Sequence, residues 1–201
     1  MNQRLILRTF QILTGTLLGL AVVFFVLQSR TPDTGYFLPG PMDAPAFDLL
    51  SRGGERASQA DFPGKILAIF FGYTSCPDVC PLTLSHLSQV FQELGEAAQG
   101  LQVLLITVDP ARDTPERLER YLAAFHPSFL GLTGPEEDIR QVADAFGAYF
   151  IRNDDGENYT VDHTARTFVL DASRRIRLSF PVTATPEEMA RDLATLLEEP
   201  N

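Results

Sequence analysis

Two nearly continuous apolar runs, at residues 65–73 and 101–108, constrain the fold more than any other feature of the sequence. Both runs are short and lack the apolar–polar alternation of a half-exposed strand, which is typical of strands covered on both faces of a parallel sheet. Between them, apolar side chains recur at helical spacing, at Leu84, Leu87, Val90, Phe91 and Leu94. We therefore expect a βαβ unit in an α/β protein.

The segments around this unit complete a thioredoxin-like plan. A short strand at 47–50, before a glycine turn at 52–55, predicts an N-terminal hairpin. Capping residues and prolines predict that further helices begin at Thr114, Pro135 and Thr185. Strands at 167–170 and 175–180 are expected to pair antiparallel, after a short apolar run at 129–132. The βαβ half is thus followed by a ββα half, and the helix at 135–149 is an insertion.

The amino-terminal part of the sequence predicts one transmembrane helix. Residues 9–27 carry no charge, and a helix of this length rises about 28 Å, close to the thickness of the hydrocarbon core. Arg4 and Arg8 indicate that residues 1–8 are cytoplasmic and that the rest lies on the periplasmic side of the inner (cytoplasmic) membrane. Residues 26–30 lack a small-x-small cleavage pattern, which favours a retained anchor over a signal peptide. Prolines and glycines in 28–45 indicate a linker, which leaves 46–201 as the globular domain.

The charge of the chain excludes one large class of partners. Residues 31–201 hold all 26 acidic residues and 13 of the 16 basic ones, so their formal net charge is −13. Nucleic-acid binding requires clustered Lys and Arg to neutralise phosphates, and such a domain is poorly suited to it.

Both cysteines of the chain lie in one segment, 72–81, which follows the first apolar run and begins a helix. Reactive groups in open α/β sheets collect at the carboxyl ends of strands, and a helix N-terminus favours thiolates, so both thiols are expected to have lowered pKa values. Cys76 and Cys80 are four positions apart, which brings them together on one face of a helix. Such a pair can chelate a soft metal, Cu(I) or Zn(II), or form a disulfide, redox-active or merely structural.

Three histidines are candidates for a third ligand. His86 reads as a helix-surface residue, and His126 follows a helix end, where a histidine complements the dipole. His163 precedes the strand at 167–170, and in a thioredoxin-like plan the loop that enters this strand packs against the cysteine loop. The topology therefore favours His163.

Other polar and sulfur-bearing residues give weaker signals. Asp78, between the cysteines, is expected to be solvated or to cap the helix, with a supporting or weak-ligand role as the alternative. Met189 lies on an apolar helical stripe and is expected in the core, whereas Met42 lies in the linker. The segment 109–115 reads as turn and cap chemistry or as a partner-facing loop near the site.

Five stretches in the same order resemble the SCO/SenC family of cytochrome oxidase assembly proteins. They are DFPGK at 61–65, FGYTSCPDVCP at 71–81, TVDPARDTPE at 107–116, FHPSFLGLTG at 125–134 and YTVDHT at 159–164. There are two departures from the family pattern. Thr164 stands where Ser is commoner, and Asp171-Ala172-Ser173-Arg174 replaces an Asp-Pro-x-Gly turn, which leaves the shape of that hairpin open.

The resemblance implies a membrane-tethered, thioredoxin-like copper chaperone. It implies one copper ion, Cu(I) or Cu(II), held by Cys76, Cys80 and His163. Its expected partner is cytochrome c oxidase subunit II, whose binuclear copper centre the family helps to assemble. Another copper chaperone or a thioredoxin-like reductant would be a further partner.

Three hypotheses remain open at this point. The first is a metal-binding assembly factor without turnover. The second is an enzyme, a tethered thiol-disulfide oxidoreductase that reduces the cysteines of the oxidase subunit through Cys76 and Cys80. The third, ranked last, is a redox or copper sensor. His163 discriminates the first two, because a metal site needs it and dithiol exchange does not.

Overall fold

The computed structural model describes residues 42–153 and 159–199, together with Gly19, Gly40 and Gly156. The predicted anchor apart from Gly19, the cytoplasmic segment 1–8 and most of the linker therefore lie outside the described residues. Among the residues that are described, no helix is both long enough and apolar enough to cross a membrane.

The described chain folds into ten strands and four α-helices. The strands are β1 (Met42–Asp43), β2 (Asp48–Leu50), β3 (Arg56–Ser58), β4 (Ile66–Gly72), β5 (Leu101–Thr107), β6 (Leu130–Leu132), β7 (Phe150–Asn153), β8 (Thr160–His163), β9 (Arg166–Leu170) and β10 (Arg175–Pro181). The helices are α1 (Val79–Leu94), α2 (Pro115–Ala123), α3 (Glu136–Ala145) and α4 (Pro186–Leu197). Short 3-10 helices lie at Arg52–Gly54, Gln59–Asp61 and Gly95–Gly100.

Six strands form the main sheet, in the order β1-β10-β9-β4-β5-β6. Strands β4, β5 and β6 run parallel to one another, whereas β9 is antiparallel to both β4 and β10. All seven residues of β4 and all seven of β5 are buried, as the two apolar runs predicted. The predicted α/β arrangement, a βαβ unit followed by two antiparallel strands and a helix, is confirmed.

The helix boundaries follow the predicted capping signals. Thr114 caps α2 by accepting a hydrogen bond from the Arg117 amide, and Thr185 forms a capping box with Glu188 at the start of α4. Helix α3 follows Pro135, as expected for the insertion. The N-terminal hairpin also forms, because β2 pairs antiparallel with β3.

Two parts of the structure differ from the sequence-based expectation. Residues 150–163 contain an additional antiparallel hairpin, β7–β8, so that His163 is the last residue of a strand and not part of a loop. The apolar run at 129–132 contributes β6, the edge strand beside β5. At the other edge, Met42 and Asp43, at the end of the predicted linker, pair with β10.

The turn that replaces the family pattern still closes a hairpin between β9 and β10. Arg174 has a φ of 63°, in the left-handed region that glycine adopts without strain. Its guanidinium donates hydrogen bonds to the carbonyl oxygens of Lys65, at 2.8 Å, and of Phe62. The altered turn thus joins the β9–β10 hairpin to the start of β4.

At position 174 we expect a glycine variant to be more stable than an alanine variant. Arg174→Ala and Arg174→Gly both remove the two guanidinium bonds, but only alanine retains the left-handed strain, so the glycine variant should be about 1 kcal/mol more stable. Denaturant unfolding of the two variants measures this difference. At Ser173, which has no positive φ, alanine should be at least as stable as glycine. An alanine variant as stable as the glycine variant at 174 would contradict the assigned backbone.

Candidate metal centre

The cysteine pair lies where β4 leaves the main sheet. Cys76 is in the turn that precedes α1, and its amide donates to the Tyr73 carbonyl at 3.3 Å. Helix α1 begins at Val79, so Cys80 lies in its first turn. The expectation that both cysteines lie on one helical face was therefore wrong: the turn, and not helical periodicity, brings Cys76 towards Cys80.

His163 completes a compact group with the two cysteines. The Nε2 atom of His163 is 3.5 Å from the Cys80 Sγ atom, and the ligand atoms of Cys76, Cys80 and His163 all lie within 4.8 Å of one another. Cys80 is fully buried, while Cys76 and His163 are partly exposed, and the cysteines are not joined by a disulfide. The structure thus brings together the three residues that the sequence singled out.

The imidazole of His163 is oriented by two neighbours. Its Nδ1 atom is 3.3 Å from the Thr164 carbonyl oxygen, which can only accept a hydrogen bond. This contact places a proton on Nδ1 and leaves Nε2, the nitrogen nearer to Cys80, as the candidate ligand atom. The Tyr73 ring meets the imidazole edge to face, with centroids 5.8 Å apart.

Gly72 allows Cys80 to approach the end of β4. A Cβ atom at this position would lie 2.8 Å from the Cys80 Sγ atom and 2.5 Å from the Phe70 ring. Real Cβ atoms essentially never approach other atoms this closely. Glycine is therefore required here for its lack of a side chain.

We expect Gly72→Ala to destabilise the domain by about 1–3 kcal/mol, because an added methyl group in a packed site forces its neighbours to move. Gly134→Ala is a matched control, since its Cβ would make an ordinary 3.4 Å contact with Leu49. Denaturant unfolding of both variants checks this expectation. Equal stabilities of the two variants would show that Cys80 is not held against Gly72.

The two thiols have opposite electrostatic environments. The hydrogen bond from the Cys80 thiol, supported by His163 and by the Asp78 and Cys80 amides, lowers the pKa of Cys76 to about 3. The same hydrogen bond to Cys76, together with burial, raises the pKa of Cys80 above its ordinary value. The expectation that both thiols have lowered pKa values is confirmed for Cys76 and wrong for Cys80, because one proton is shared by the pair.

This asymmetry predicts which cysteine reacts first. In the reduced protein iodoacetamide should modify Cys76, with a rate that changes little between about pH 5 and pH 8, because Cys76 is already a thiolate there. For a thiol of ordinary pKa, the rate of modification would fall about tenfold for each unit by which the pH is lowered in this range. Mass spectrometry of the adducts identifies the site, and Cys76→Ser reports the slower Cys80. Preferred modification of Cys80 would contradict the assignment.

A buried carboxylate anchors the cysteine turn. Asp113 is fully buried and accepts hydrogen bonds from the Thr74 amide at 2.9 Å and from the Thr74 hydroxyl at 2.5 Å. The Thr107 hydroxyl, at the end of β5, donates to the same carboxylate at 2.7 Å. Asp113 therefore ties the start of the cysteine turn to the neighbouring strand.

The hairpin that carries His163 is anchored to the same region. The Val161 amide donates to the Tyr73 hydroxyl at 3.2 Å, and the Tyr159 hydroxyl donates to the buried Asp109 carboxylate at 2.6 Å. Arg112 donates to Asp109 and, at 3.1 Å, to the Tyr159 carbonyl, while its guanidinium lies 3.7 Å from the centre of the Tyr159 ring. The segment 109–113 thus holds both the cysteine turn and the histidine hairpin.

The other candidate residues lie outside this group. The His86 Nδ1 atom contacts the Ala184 carbonyl at 3.1 Å, and Met189 is in the core as predicted. Asp78 is exposed at the N-cap of α1, and its carboxylate makes no capping hydrogen bond with the described residues. Met42 is 51% exposed on β1.

His126 corrects a sequence-based expectation. Its ring packs against those of Phe91 and Phe129, and burial lowers its pKa. The Ser128 amide donates to its Nδ1 atom at 3.2 Å, which requires that nitrogen to be unprotonated. His126 is therefore an aromatic packing residue and not a cation that complements the end of α2.

The anchoring residues were the part of the site that sequence reasoning missed. Asp109, Arg112 and Asp113 were interpreted mainly as turn residues, and Tyr159 was noted only as part of a family motif. The available signal was the density of charged residues, which occupy three of the five positions 109–113 shortly after a buried strand. Charges at the carboxyl end of a buried strand are expected to pair or to face a site.

The geometry suits a soft metal ion bound at an accessible position. Two sulfur ligands select Cu(I) and Zn(II) over hard cations, and a histidine nitrogen suits both metals. Three protein ligands leave a coordination position for an incoming group. The same pair of thiols also suits reversible disulfide chemistry.

Comparisons with known proteins agree with this site. The protein-family model described as SCO1/SenC matches residues 40–198. The SCO2-like protein of Rickettsia conorii is 34% identical over 189 residues, which cover 89% of this chain and 91% of that protein. The solution structure of apo Sco1 from Thermus thermophilus is 38% identical, with a TM-score of 0.74, and covers 81% of this chain and 95% of its own. The copper-bound ScoI of Bradyrhizobium japonicum is 36% identical, with a TM-score of 0.70, and the match covers 77% of this chain and 99% of that one.

The matched region runs from before β1 to the end of α4 and contains both cysteines and His163. The mixed α/β fold matches that of the Sco structures, which confirms the thioredoxin-like plan. The resemblance carried by the sequence motifs is therefore confirmed, and the chain belongs to the SCO1/SenC family.

Proposed function

We propose that this protein binds one copper ion through Cys76, Cys80 and His163 and delivers it during assembly of the binuclear copper centre of cytochrome c oxidase subunit II. One observation carries the proposal: the three ligand atoms lie within 4.8 Å of one another although His163 is 83 positions from Cys80. The copper-bound relative from Bradyrhizobium japonicum supports the choice of metal.

The chemistry of the three ligands fits a metal that is carried and then released. Thiolates prefer Cu(I), and Cys76 is a thiolate over the physiological pH range, so little proton release is needed to load the metal at this sulfur. The imidazole nitrogen also suits Cu(II). Because Cys76 and His163 are partly exposed, an incoming thiolate can approach from their side while Cys80 stays buried.

The proposed location follows from the sequence pattern. The uncharged stretch at 9–27, with Arg4 and Arg8 before it, supports a single membrane anchor with the domain on the periplasmic side. An oxidase subunit whose copper centre faces the same compartment would be within reach of a tethered domain.

A second function is favoured by the electrostatics of the cysteine pair. A thiolate of low pKa beside a second thiol is the arrangement used in dithiol exchange, so the protein could also reduce the cysteines of the oxidase subunit. Reduced thiols are needed for copper binding, and the two functions are therefore compatible on one site.

Anaerobic titration of the reduced full-length protein with Cu(I), against a competing chelator, tests the copper proposal. We expect one tight equivalent, a loss of more than about 100-fold in affinity in Cys76→Ser and Cys80→Ser, and a clear loss in His163→Ala, since even supporting residues of metal sites contribute about 10–100-fold. His86→Ala and His126→Ala are matched controls and should bind as the wild type does.

Two outcomes would contradict this account. If His163→Ala binds Cu(I) and Cu(II) as tightly as His86→Ala does, His163 is not a ligand. If the wild-type protein has no tight site, the copper proposal fails, and the reduction potential of the Cys76–Cys80 pair then becomes the quantity that tests the oxidoreductase alternative.

A further inference from the structure

We propose that Arg117 is a positioning residue for the metal site, which holds the turn that carries Cys76 by contacting two side chains of that turn at once. The inference rests on the proposed function in so far as Cys76 is a copper ligand. It assigns a role to a residue of α2 that neither the sequence motifs nor the ligand geometry singled out.

The contacts of Arg117 join α2 to the residues just before Cys76. Its Nε atom donates to the Thr74 hydroxyl at 2.8 Å, and its Nη2 atom donates to the Ser75 hydroxyl at 2.9 Å. The Ser75 residue is bonded directly to Cys76, so a displacement of one is passed to the other. Arg117 thus binds the turn through hydrogen bonds to two consecutive residues.

The base of Arg117 is itself fixed. Its amide donates to the Thr114 hydroxyl at 3.3 Å, as part of the N-cap of α2. Thr114 directly follows Asp113, the buried carboxylate that accepts both the amide and the hydroxyl of Thr74. Asp113 therefore holds Thr74 from inside, and Arg117 holds Thr74 and Ser75 from the solvent side.

Charge balance gives Arg117 a second effect on the same network. Its Nε atom is 3.6 Å from the Asp113 Oδ1 atom, and the carboxylate is completely buried whereas the Arg117 side chain is 42% exposed. A buried carboxylate is costly unless it is paired and hydrogen-bonded. Arg117 supplies a positive charge at the edge of this network, beside the carboxylate that accepts from Thr74.

The chemical form of arginine matters for this role. The guanidinium is a planar fork whose donors have fixed relative directions, so that it can satisfy two hydroxyl acceptors together. A lysine ammonium carries the same charge as a single point and is not preorganised for both contacts. The alternative role, a charge contact with Asp113 alone, requires a positive charge at this position but not two directed donors.

Full-length Arg117→Gln, with Arg120→Gln as the control, tests the proposal. Arg120 lies on the same helix and is exposed, so the control removes the same charge without touching the cysteine turn. In the metal-free reduced protein, we expect amide hydrogen exchange of Thr74 and Cys76 to quicken about tenfold in Arg117→Gln, while amides of β5 keep their wild-type rates. A local role of Arg117 requires faster exchange in the cysteine turn alone, whereas general destabilisation of the domain would quicken exchange both in the turn and in β5.

The copper-loaded protein gives the second readout. We expect Arg117→Gln to release Cu(I) to a chelator about tenfold faster, within the range known for residues that orient metal ligands, and to change the Cu(II)–thiolate absorption spectrum. Arg120→Gln should match the wild type in both measurements. Arg117→Lys should fall between wild type and Arg117→Gln, because it keeps the charge and loses the two-point contact.

Three results would overturn the proposal. The first is that the amides of the cysteine turn exchange hydrogen at the same rate in Arg117→Gln as in Arg120→Gln. The second is quickened exchange in both the turn and β5, and the third is full recovery in Arg117→Lys, which would assign the effect to charge. If the wild-type protein binds no copper, the proposed function fails, and hydrogen exchange in the metal-free protein still decides the role of Arg117.

Discussion

The buried carboxylate of Asp113 is the interaction on which the metal site depends. It accepts hydrogen bonds from Thr74, at the start of the cysteine turn, and from Thr107, at the end of β5. A carboxylate without water is stable only where such donors satisfy it, so its burial and the fixed position of the turn require each other. The cysteine turn is thereby attached to two strands of the sheet, β4 and β5, and is held more rigidly than a free loop would be.

The same short segment also controls the histidine. Asp109 and Arg112 hold Tyr159, which precedes the strand that ends in His163. A single connection between β5 and α2 therefore sets both halves of a site whose ligands are distant in sequence. The Nη2 atom of Arg112 is buried without a hydrogen-bond partner among the described residues, so the hairpin contact is less completely satisfied than the Asp113 network. We interpret the cysteine side as the more firmly held half of the site.

Local signals in the sequence predicted much of this structure. The runs that form β4 and β5, the caps of α2 and α4 and the proximity of His163 to the cysteines follow from periodicity, capping chemistry and topology. The β7–β8 hairpin was missed because its strands carry polar residues and a weak alternation, and it is held by contacts with Tyr73 and Asp109 that lie far away in the sequence. The raised pKa of Cys80 was missed for a related reason: a helix N-terminus favours a thiolate, but Cys80 is buried beside a thiolate that is already formed. Both the hairpin and the raised pKa of Cys80 depend on tertiary contacts, which no local sequence pattern contains.

X-ray absorption spectroscopy of the copper-loaded, reduced protein tests the central claim most directly, because it counts the atoms bound to the metal. We expect copper with two sulfur neighbours and one imidazole nitrogen, and the loss of the imidazole signal in His163→Ala while the two sulfur neighbours remain. An unchanged imidazole signal in His163→Ala, or copper bound to sulfur only in the wild-type protein, would contradict a site formed by Cys76, Cys80 and His163.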